Sequence, residues 1–172
     1  MNDFFGLDIG SHTLKAVQVE KEDNRSRLVH FAIYDTPPKA FESEAEEDKK
    51  ALSRAIKETL KEAGIKSRKV VASLPESKLF TRVVELPKMN EKELGASLEY
   101  EAERYIPFPI DSAVFDFEIV LKPENSDKMS VLLVASPESF SVRYLEILER
   151  AGLNVVALEP ETIALVRSLV GE

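Results

Sequence analysis

The first third of the chain carries three apolar runs of the length and composition that strands show. The runs at 3–9, 14–20 and 27–34 predict three consecutive strands. The link between the first two is short enough for a hairpin, and the next link is charged, which suits an exposed turn. Pro37 and Pro38 end the third strand, because proline cannot donate to the hydrogen-bond ladder.

The spacing of apolar positions then changes to that of a helix. Between Leu52 and Ala63 they recur at intervals of three and four, behind an acidic stretch that suits the positive end of a helix dipole. Gly64 is a natural helix stop, and Val70–Leu74 predicts a short buried strand. The order strand, strand, strand, helix, strand is the opening of the ribonuclease H-like and actin-like α/β architectures.

Residues 76–152 are predicted to form an inserted α+β subdomain in the order strand, helix, strand, strand, helix. Asn90 with Glu93 has the pattern of a capping box and opens a helix that we expect to reach about Tyr105. The predicted strands are Leu79–Leu86, Ala113–Leu121 and Met129–Ala135, and the last helix begins at Ser136-Pro137 and ends at Gly152.

The remaining segment returns the chain to the first sheet. Val155–Leu158 predicts its fifth strand, so that residues 1–75 and 153–172 form one subdomain with a mixed five-stranded sheet. Glu159-Pro160 opens a final helix, whose residues Ile163, Val166 and Val170 are expected to point inward.

Charge and composition exclude several classes of site. The net charge is −8 and no block of five Lys or Arg occurs, which argues against an extended nucleic-acid groove. The chain has no cysteine and only two histidines, so thiolate sites are absent and a His-rich metal centre is not expected. No run approaches 18 apolar residues and no basic-then-apolar leader opens the chain, so we expect a soluble cytoplasmic protein unless a partner tethers it.

The turn after the first strand carries the candidate chemistry, in the run Gly6-Leu7-Asp8-Ile9-Gly10-Ser11 followed by Lys15. Glycine lets a ligand approach the backbone, and successive amides can form an anion-binding concavity. Asp8 could hold Mg²⁺ directly or through water, and a lysine could face the phosphates. The candidate phosphate-binding residues are Gly10, Ser11, His12, Thr13 and Lys15. The alternative is an ordinary hairpin whose turn uses Gly and Ser for geometry.

Four segments of the chain carry a family resemblance. The most specific is the run from Glu101 to Asp111, Glu-Ala-Glu-Arg-Tyr-Ile-Pro-Phe-Pro-Ile-Asp. The others are Phe5–Ser11 with Lys15-Ala16-Val17, Phe80–Pro87, and Ala157–Glu161 with Ala164-Leu165. Together they resemble the PilM family of type IV pilus assembly proteins, which are relatives of the division protein FtsA in the actin-like ATPase superfamily. The resemblance spans the chain and implies the N-terminal half of such a protein, with the inserted subdomain typical of FtsA and PilM.

The resemblance implies that this chain carries half of a nucleotide cleft. In the superfamily a second Asp-x-Gly loop lies in the other half, and no second Asp-x-Gly occurs here. ATP and Mg²⁺ are therefore expected in a full-length protein, with weak or absent binding and no enzyme activity in this chain. His12 departs from the small residue common at its place, and Glu159 is expected to approach the cleft.

The resemblance also implies a scaffold function at the inner face of the inner membrane. The expected partner is the cytoplasmic N-terminal segment of a PilN-like membrane protein, together with other components of the pilus platform, and the membrane is reached only through partners. In the family this segment lies in a groove between the first and inserted subdomains, with Tyr105, Ile106, Phe108 and Ile110 as its candidate wall. The alternative is that Pro107 and Pro109 rigidify a loop whose aromatic side chain plugs the core.

Other functions of the same architecture remain open. An FtsA-like division or competence-related ATPase would need the other half of the cleft for phosphoryl transfer. A ribonuclease H-like nuclease would place several carboxylates around two metal ions, with Asp8 as the obvious member and Glu159 as a further candidate. A sugar kinase or chaperone relative would share the phosphate loop but lacks any substrate signature here.

Overall fold

A computed structural model describes residues 4–22, 25–40 and 43–170, which divide into two compact units. The first unit contains residues 1–76 and 143–172, and the second contains 77–142. The strands are β1 (Phe4–Ile9), β2 (Thr13–Glu22), β3 (Arg25–Asp35), β4 (Lys69–Leu74), β5 (Phe80–Pro87), β6 (Ala113–Leu121), β7 (Lys128–Pro137) and β8 (Asn154–Pro160). The helices are α1 (Glu46–Ala63), α2 (Glu91–Glu101), α3 (Glu138–Arg150) and α4 (Glu161–Val170).

The sheet of the first unit has five strands in the order β3-β2-β1-β4-β8. β1, β2 and β3 pair antiparallel, whereas β4 pairs parallel with β1 and with β8. The parallel pairs require crossovers, which α1 supplies between β3 and β4. The predicted fold class, a mixed five-stranded sheet with helices and an additional small α+β unit, is confirmed.

The sheet buries one face and leaves the other open. Along β1 the side chains of Phe5, Leu7 and Ile9 are buried, while Gly6 and Asp8 lie on the opposite face. α1 packs against β2 and β3 with its apolar stripe and ends at Gly64, whose φ of 72° is the left-handed conformation that glycine tolerates.

The second half of α3 belongs to the first unit. Lys49 of α1 bonds Glu146 at 3.0 Å, and Arg150 bonds Glu46 at 2.7 Å. Because these contacts join α3 to α1, the division between the units falls at residue 143, within a helix that the sequence placed wholly in the insertion. α3 begins at Glu138, after the predicted start at Ser136-Pro137, because β7 continues to Pro137 to pair with Ala113 of β6.

The expectation that α4 turns Ile163, Val166 and Val170 inward is wrong for the two valines, while Ile163 is half-buried. Within the described residues α4 has no buried side chain, and Val166 and Val170 are 56% and 76% exposed. The helix contacts β8 and β4 on the open face of the sheet. The sheet therefore covers only one side of the helix. Other apolar side chains on the same face of the sheet are exposed as well: Phe4, Val17, Phe31 and Ile33.

The second unit is a three-stranded antiparallel sheet in the order β5-β7-β6, with α2 on one face. Asn90 and Glu93 form the predicted capping box at the start of α2, with both reciprocal bonds at 3.0 Å. α2 ends at Glu101, earlier than predicted, and a single 3₁₀ turn follows at Ala102–Arg104. The core contains Val84, Leu86, Leu94, Leu98, Met129 and Val131.

None of the helices in the described parts of the chain has the length and the apolar character needed to cross a bilayer.

The ion pairs between α1 and α3 make the free energy of unfolding of the first unit depend on pH in the acidic range. Bonds from Arg150 and Lys49 lower the pKa of the Glu46 carboxyl, and bonds from Lys49 and Arg150 lower the pKa of Glu146. Since both pKa values in the folded state lie below the usual 4.5, the stabilisation is complete above that pH and is lost as the pH falls through the folded-state values.

We therefore expect the double variant Glu46→Gln/Glu146→Gln to lose less stability than the wild type as the pH falls below 4.5. Denaturant unfolding at a series of pH values measures this slope. Glu58→Gln, on the same helix, is the control and should keep the wild-type slope. An unchanged slope in the double variant would contradict the assignment.

Candidate functional site

Asp8 and Lys15 lie directly opposite each other on the open face of the first sheet. The antiparallel register of β1 and β2 pairs the two residues, and Lys15 Nζ donates to Asp8 Oδ2 at 2.8 Å. The lysine side chain is 47% exposed and the aspartate 35%. Ion pairs this exposed contribute about 0–1 kcal/mol. The pair can therefore open at small cost.

Ser73 holds the other oxygen of the same carboxylate. In the parallel register of β1 and β4, Leu7 is opposite Ala72, so the next residues, Asp8 and Ser73, are neighbours at the same sheet edge. Ser73 Oγ donates to Asp8 Oδ1 at 2.6 Å. Both oxygens of the carboxylate are thus engaged by different strands.

Tyr144 of α3 hydrogen-bonds the end of β4 at Ser73. Its hydroxyl donates to the Ser73 carbonyl at 2.6 Å, and its side chain is 2% exposed. Burial, with smaller contributions from the negative charges of Asp8 and Glu161, raises the pKa of Tyr144. The hydroxyl therefore stays protonated and donates to the carbonyl at any ordinary pH.

The turn after β1 is closed by Gly10 and Thr36. Gly10 N donates to Thr13 O at 3.0 Å, and Thr36 Oγ1 donates to Gly10 O at 2.7 Å. A Cβ built on Gly10 would lie 3.0 Å from Thr13 O and about 4 Å from the charged atoms of Lys15 and Asp8. A side chain at Gly10 would therefore be crowded against Thr13 O, on the side of the turn that faces the ion pair. Ser11 and His12 are exposed and hydrogen-bond to each other at 2.9 Å.

A groove of about 700 Å³ runs between the open face of the sheet and α4. Its floor includes Gly6, Val17 and Val71, and Ala164 and Leu165 form the wall from α4. Asp8, Lys15, Ser73, Glu159 and Glu161 provide its polar groups. Glu159 accepts from Arg167 at 2.5 Å. The structure thus brings the predicted Asp8, Lys15 and Glu159 to one surface, and their roles there remain predictions.

The donor set at Asp8 suits a magnesium ion that arrives with phosphate. In the described part of the chain no group of three or more Asp, Glu or His side chains could hold a metal ion. Mg²⁺ commonly binds through one or two carboxylates together with substrate phosphates. Asp8 can provide the carboxylate, and a phosphate bound at the glycine turn would provide the other ligands. A nuclease of the two-metal type would need more carboxylates than the described residues bring together.

The predicted wall of the partner groove lies in the second unit and is largely occupied with core packing. Ile106 is 5% exposed and belongs to a buried cluster with Ala102, Leu133 and Ala135. Tyr105, Phe108 and Ile110 are half-buried and pack against the same cluster. This packing agrees with the alternative in which the segment fills the core. The exposed parts of the three side chains still offer some surface to a partner.

Sequence reasoning missed Ser73, Tyr144 and Thr36. Ser73 had a usable signal, because it is a polar residue near the end of the predicted buried strand Val70–Leu74. Thr36 and Tyr144 had none, since their roles depend on which distant segment the fold brings near.

A family model described as "Type IV pilus assembly protein PilM" matches residues 6–170. The chain belongs to this family. One solved structure, the PilM-PilN type IV pilus biogenesis complex, contains a chain that is 34% identical, with a TM-score of 0.85. The match covers 97% of the present chain and 50% of the solved one. The present PilM-family chain therefore spans about half the length of that relative.

A more distant structure shares the fold. It is the cytoplasmic domain of EpsL, an inner membrane component of the type II secretion system of Vibrio cholerae. The identity is 18% and the TM-score 0.61, over 94% of this chain and 58% of that one.

The buried position of Ile106 leads to a stability prediction. Ile106→Ala should lower the free energy of unfolding of this PilM-family chain by about 2–4 kcal/mol, as cavity-forming substitutions in a core do. Urea denaturation followed by circular dichroism measures the change. Val83→Ala, at an exposed site on β5, is the control. A loss below about 1 kcal/mol would mean that the Ile106 site is not a packed core position.

Proposed function

We propose that this chain is a cytoplasmic scaffold of the type IV pilus inner-membrane platform. In this role it binds the N-terminal cytoplasmic segment of a PilN-like membrane protein. The observation that carries the proposal is the match to the PilM-PilN complex, which covers 97% of this chain with a TM-score of 0.85. The match extends over nearly all of both compact units of this chain and over half of the solved chain.

The surface beside Phe108 is the proposed contact on the second unit. Phe108 and Ile110 follow the 3₁₀ turn after α2 and keep half-exposed side chains. Flanking prolines restrict the backbone, so that little conformational entropy is lost when a segment binds. An extended peptide that inserts alternate apolar side chains would match such a surface.

Titration with a synthetic peptide of a PilN N-terminal cytoplasmic segment tests the scaffold role. We expect saturable binding by calorimetry, weakened about tenfold by Phe108→Ala, as loss of a buried aromatic contact implies. Phe31→Ala, which removes an exposed ring from the first unit, is the matched control and should bind like the wild type.

The scaffold proposal is wrong for this chain if the folded wild type does not bind the peptide. If Phe108→Ala binds the peptide as tightly as the wild type, the partner assignment stands but Phe108 is not part of the contact. Circular dichroism of each variant separates loss of binding from loss of fold.

We further propose that the turn after β1 is the phosphate-binding part of a nucleotide site in a longer PilM-family protein. Asp8 would hold Mg²⁺, and Gly10 would admit the phosphates to the backbone of Ser11, His12 and Thr13. Mg²⁺ would supply charge neutralisation for the phosphate oxygens. Lys15 would give its positive charge to the phosphates, and Glu159 would face the same groove.

This chain alone should hydrolyse ATP at a negligible rate. Phosphoryl transfer depends on positioning and charge stabilisation around the phosphate, and the present chain matches only half of the solved chain in the PilM-PilN complex. Release of inorganic phosphate from Mg·ATP measures the rate. Turnover that disappears in Asp8→Asn would contradict the prediction, and background equal in both proteins would support it.

A further inference from the structure

We infer that Ser73, anchored by Tyr144, is a positioning residue that fixes Oδ1 of Asp8 and leaves Oδ2 for exchange between Lys15 and a metal-bound phosphate. The inference rests on the phosphate-binding part of the proposed function. It assigns roles to two residues that lie outside the Asp-x-Gly turn.

The two oxygens of Asp8 have partners of different rigidity. Oδ1 accepts from a serine on β4, an interior strand that pairs with β1 on one side and β8 on the other. Oδ2 accepts from Lys15, whose long side chain is 47% exposed. A short side chain on a paired strand has little freedom, whereas a lysine side chain rotates easily. The bond to Oδ1 is therefore the fixed one.

Tyr144 further restricts the position of Ser73. The Tyr144 hydroxyl bonds the Ser73 carbonyl at 2.6 Å from a nearly fully buried side chain. This contact joins α3 to the end of β4, at the residue whose hydroxyl reaches Asp8. Any loss of the tyrosine hydroxyl should loosen the serine without removing it.

The turn at Gly10 faces the exchangeable oxygen. A Cβ on Gly10 would lie 3.0 Å from Thr13 O, 3.8 Å from Lys15 Nζ and 4.0 Å from Asp8 Oδ2. Glycine therefore keeps a side chain out of the place where the turn approaches Oδ2 and the ammonium. A group that binds beside Gly10 meets these two atoms, while the bond from Ser73 stays in place.

The charges favour an exchange at this point. Lys15 neutralises Asp8 in the absence of ligand, so the carboxylate is not left unpaired. When a cation–phosphate group is bound, Lys15 can move from Oδ2 to the phosphate, and Asp8 can offer Oδ2 to the cation. One lysine thus serves both states, and the aspartate keeps its orientation through Ser73.

The test measures binding of magnesium pyrophosphate to the full 172-residue chain. Amide shifts of Gly10 in ¹⁵N NMR spectra give the affinity with Mg²⁺ and with the metal removed by chelation. We expect Ser73→Ala to weaken the magnesium-dependent affinity by about tenfold, since loss of a partner that orients a metal-ligating side chain costs about 10–100-fold. Metal-free binding should not change in Ser73→Ala. Ser73→Thr should bind with the wild-type affinity, because it keeps the hydroxyl.

Tyr144→Phe should weaken the magnesium-dependent affinity by a smaller factor, in the same direction as Ser73→Ala. The matched controls are Tyr100→Phe, which alters an 86% exposed tyrosine, and Ser130→Ala on β7 of the second unit. Both should bind like the wild type.

The outcomes separate this inference from the proposal beneath it. If the wild type binds but Ser73→Ala binds equally well with magnesium, Ser73 has no positioning role and the phosphate turn stands. If Asp8→Asn binds as well as the wild type, both the inference and the phosphate-binding proposal are wrong. If the wild type does not bind, the inference is wrong for this chain, whereas the phosphate-binding proposal concerns a longer protein. A loss in Ser73→Ala that is equal with and without magnesium would assign the effect to the fold of the turn and overturn the inference.

Discussion

The parallel pairing of β1 with β4 is the interaction on which the candidate site depends. β1 is the central strand, and its register with β4 brings the end of one strand beside the end of the other. Asp8 and Ser73 meet only because both strands run in the same direction and end at the same edge. A shift of one residue would turn the aspartate into the buried face, since side chains alternate along a strand.

The two faces of the first sheet have different roles: one carries the apolar core, and the other carries the candidate site. The buried face carries Phe5, Leu7 and Ile9, and each apolar side chain of this size contributes about 1.5–3 kcal/mol when fully buried. The open face carries an exposed ion pair worth about 0–1 kcal/mol. Opening the pair between Lys15 and Asp8 therefore leaves the core unaffected. A ligand-binding turn can be built at this position without weakening the fold.

The second unit combines packing and proposed recognition in a single segment. Ile106 is buried, whereas Phe108 packs against the core with part of its ring exposed. The helix before this segment ends at Glu101, because the 3₁₀ turn at Ala102–Arg104 tightens the chain and places Ala102 and Ile106 in the core. A pattern of aromatic and proline residues predicts such a segment, but it does not separate the residue that fills the core from the residue that stays at the surface.

The sequence alone determined the element order, the Asn90 capping box, the Gly64 helix stop and the fifth strand at β8, because local periodicity and capping chemistry are written in consecutive residues. It also identified the turn at Asp8 and the family. Tertiary structure decided what no local pattern contains: that α4 lies on an open sheet face with most of its apolar residues exposed, and that Ser73 and Tyr144 support Asp8. These contacts join residues 65 and 71 positions apart, so they exist only after strand pairing and helix packing have fixed the register.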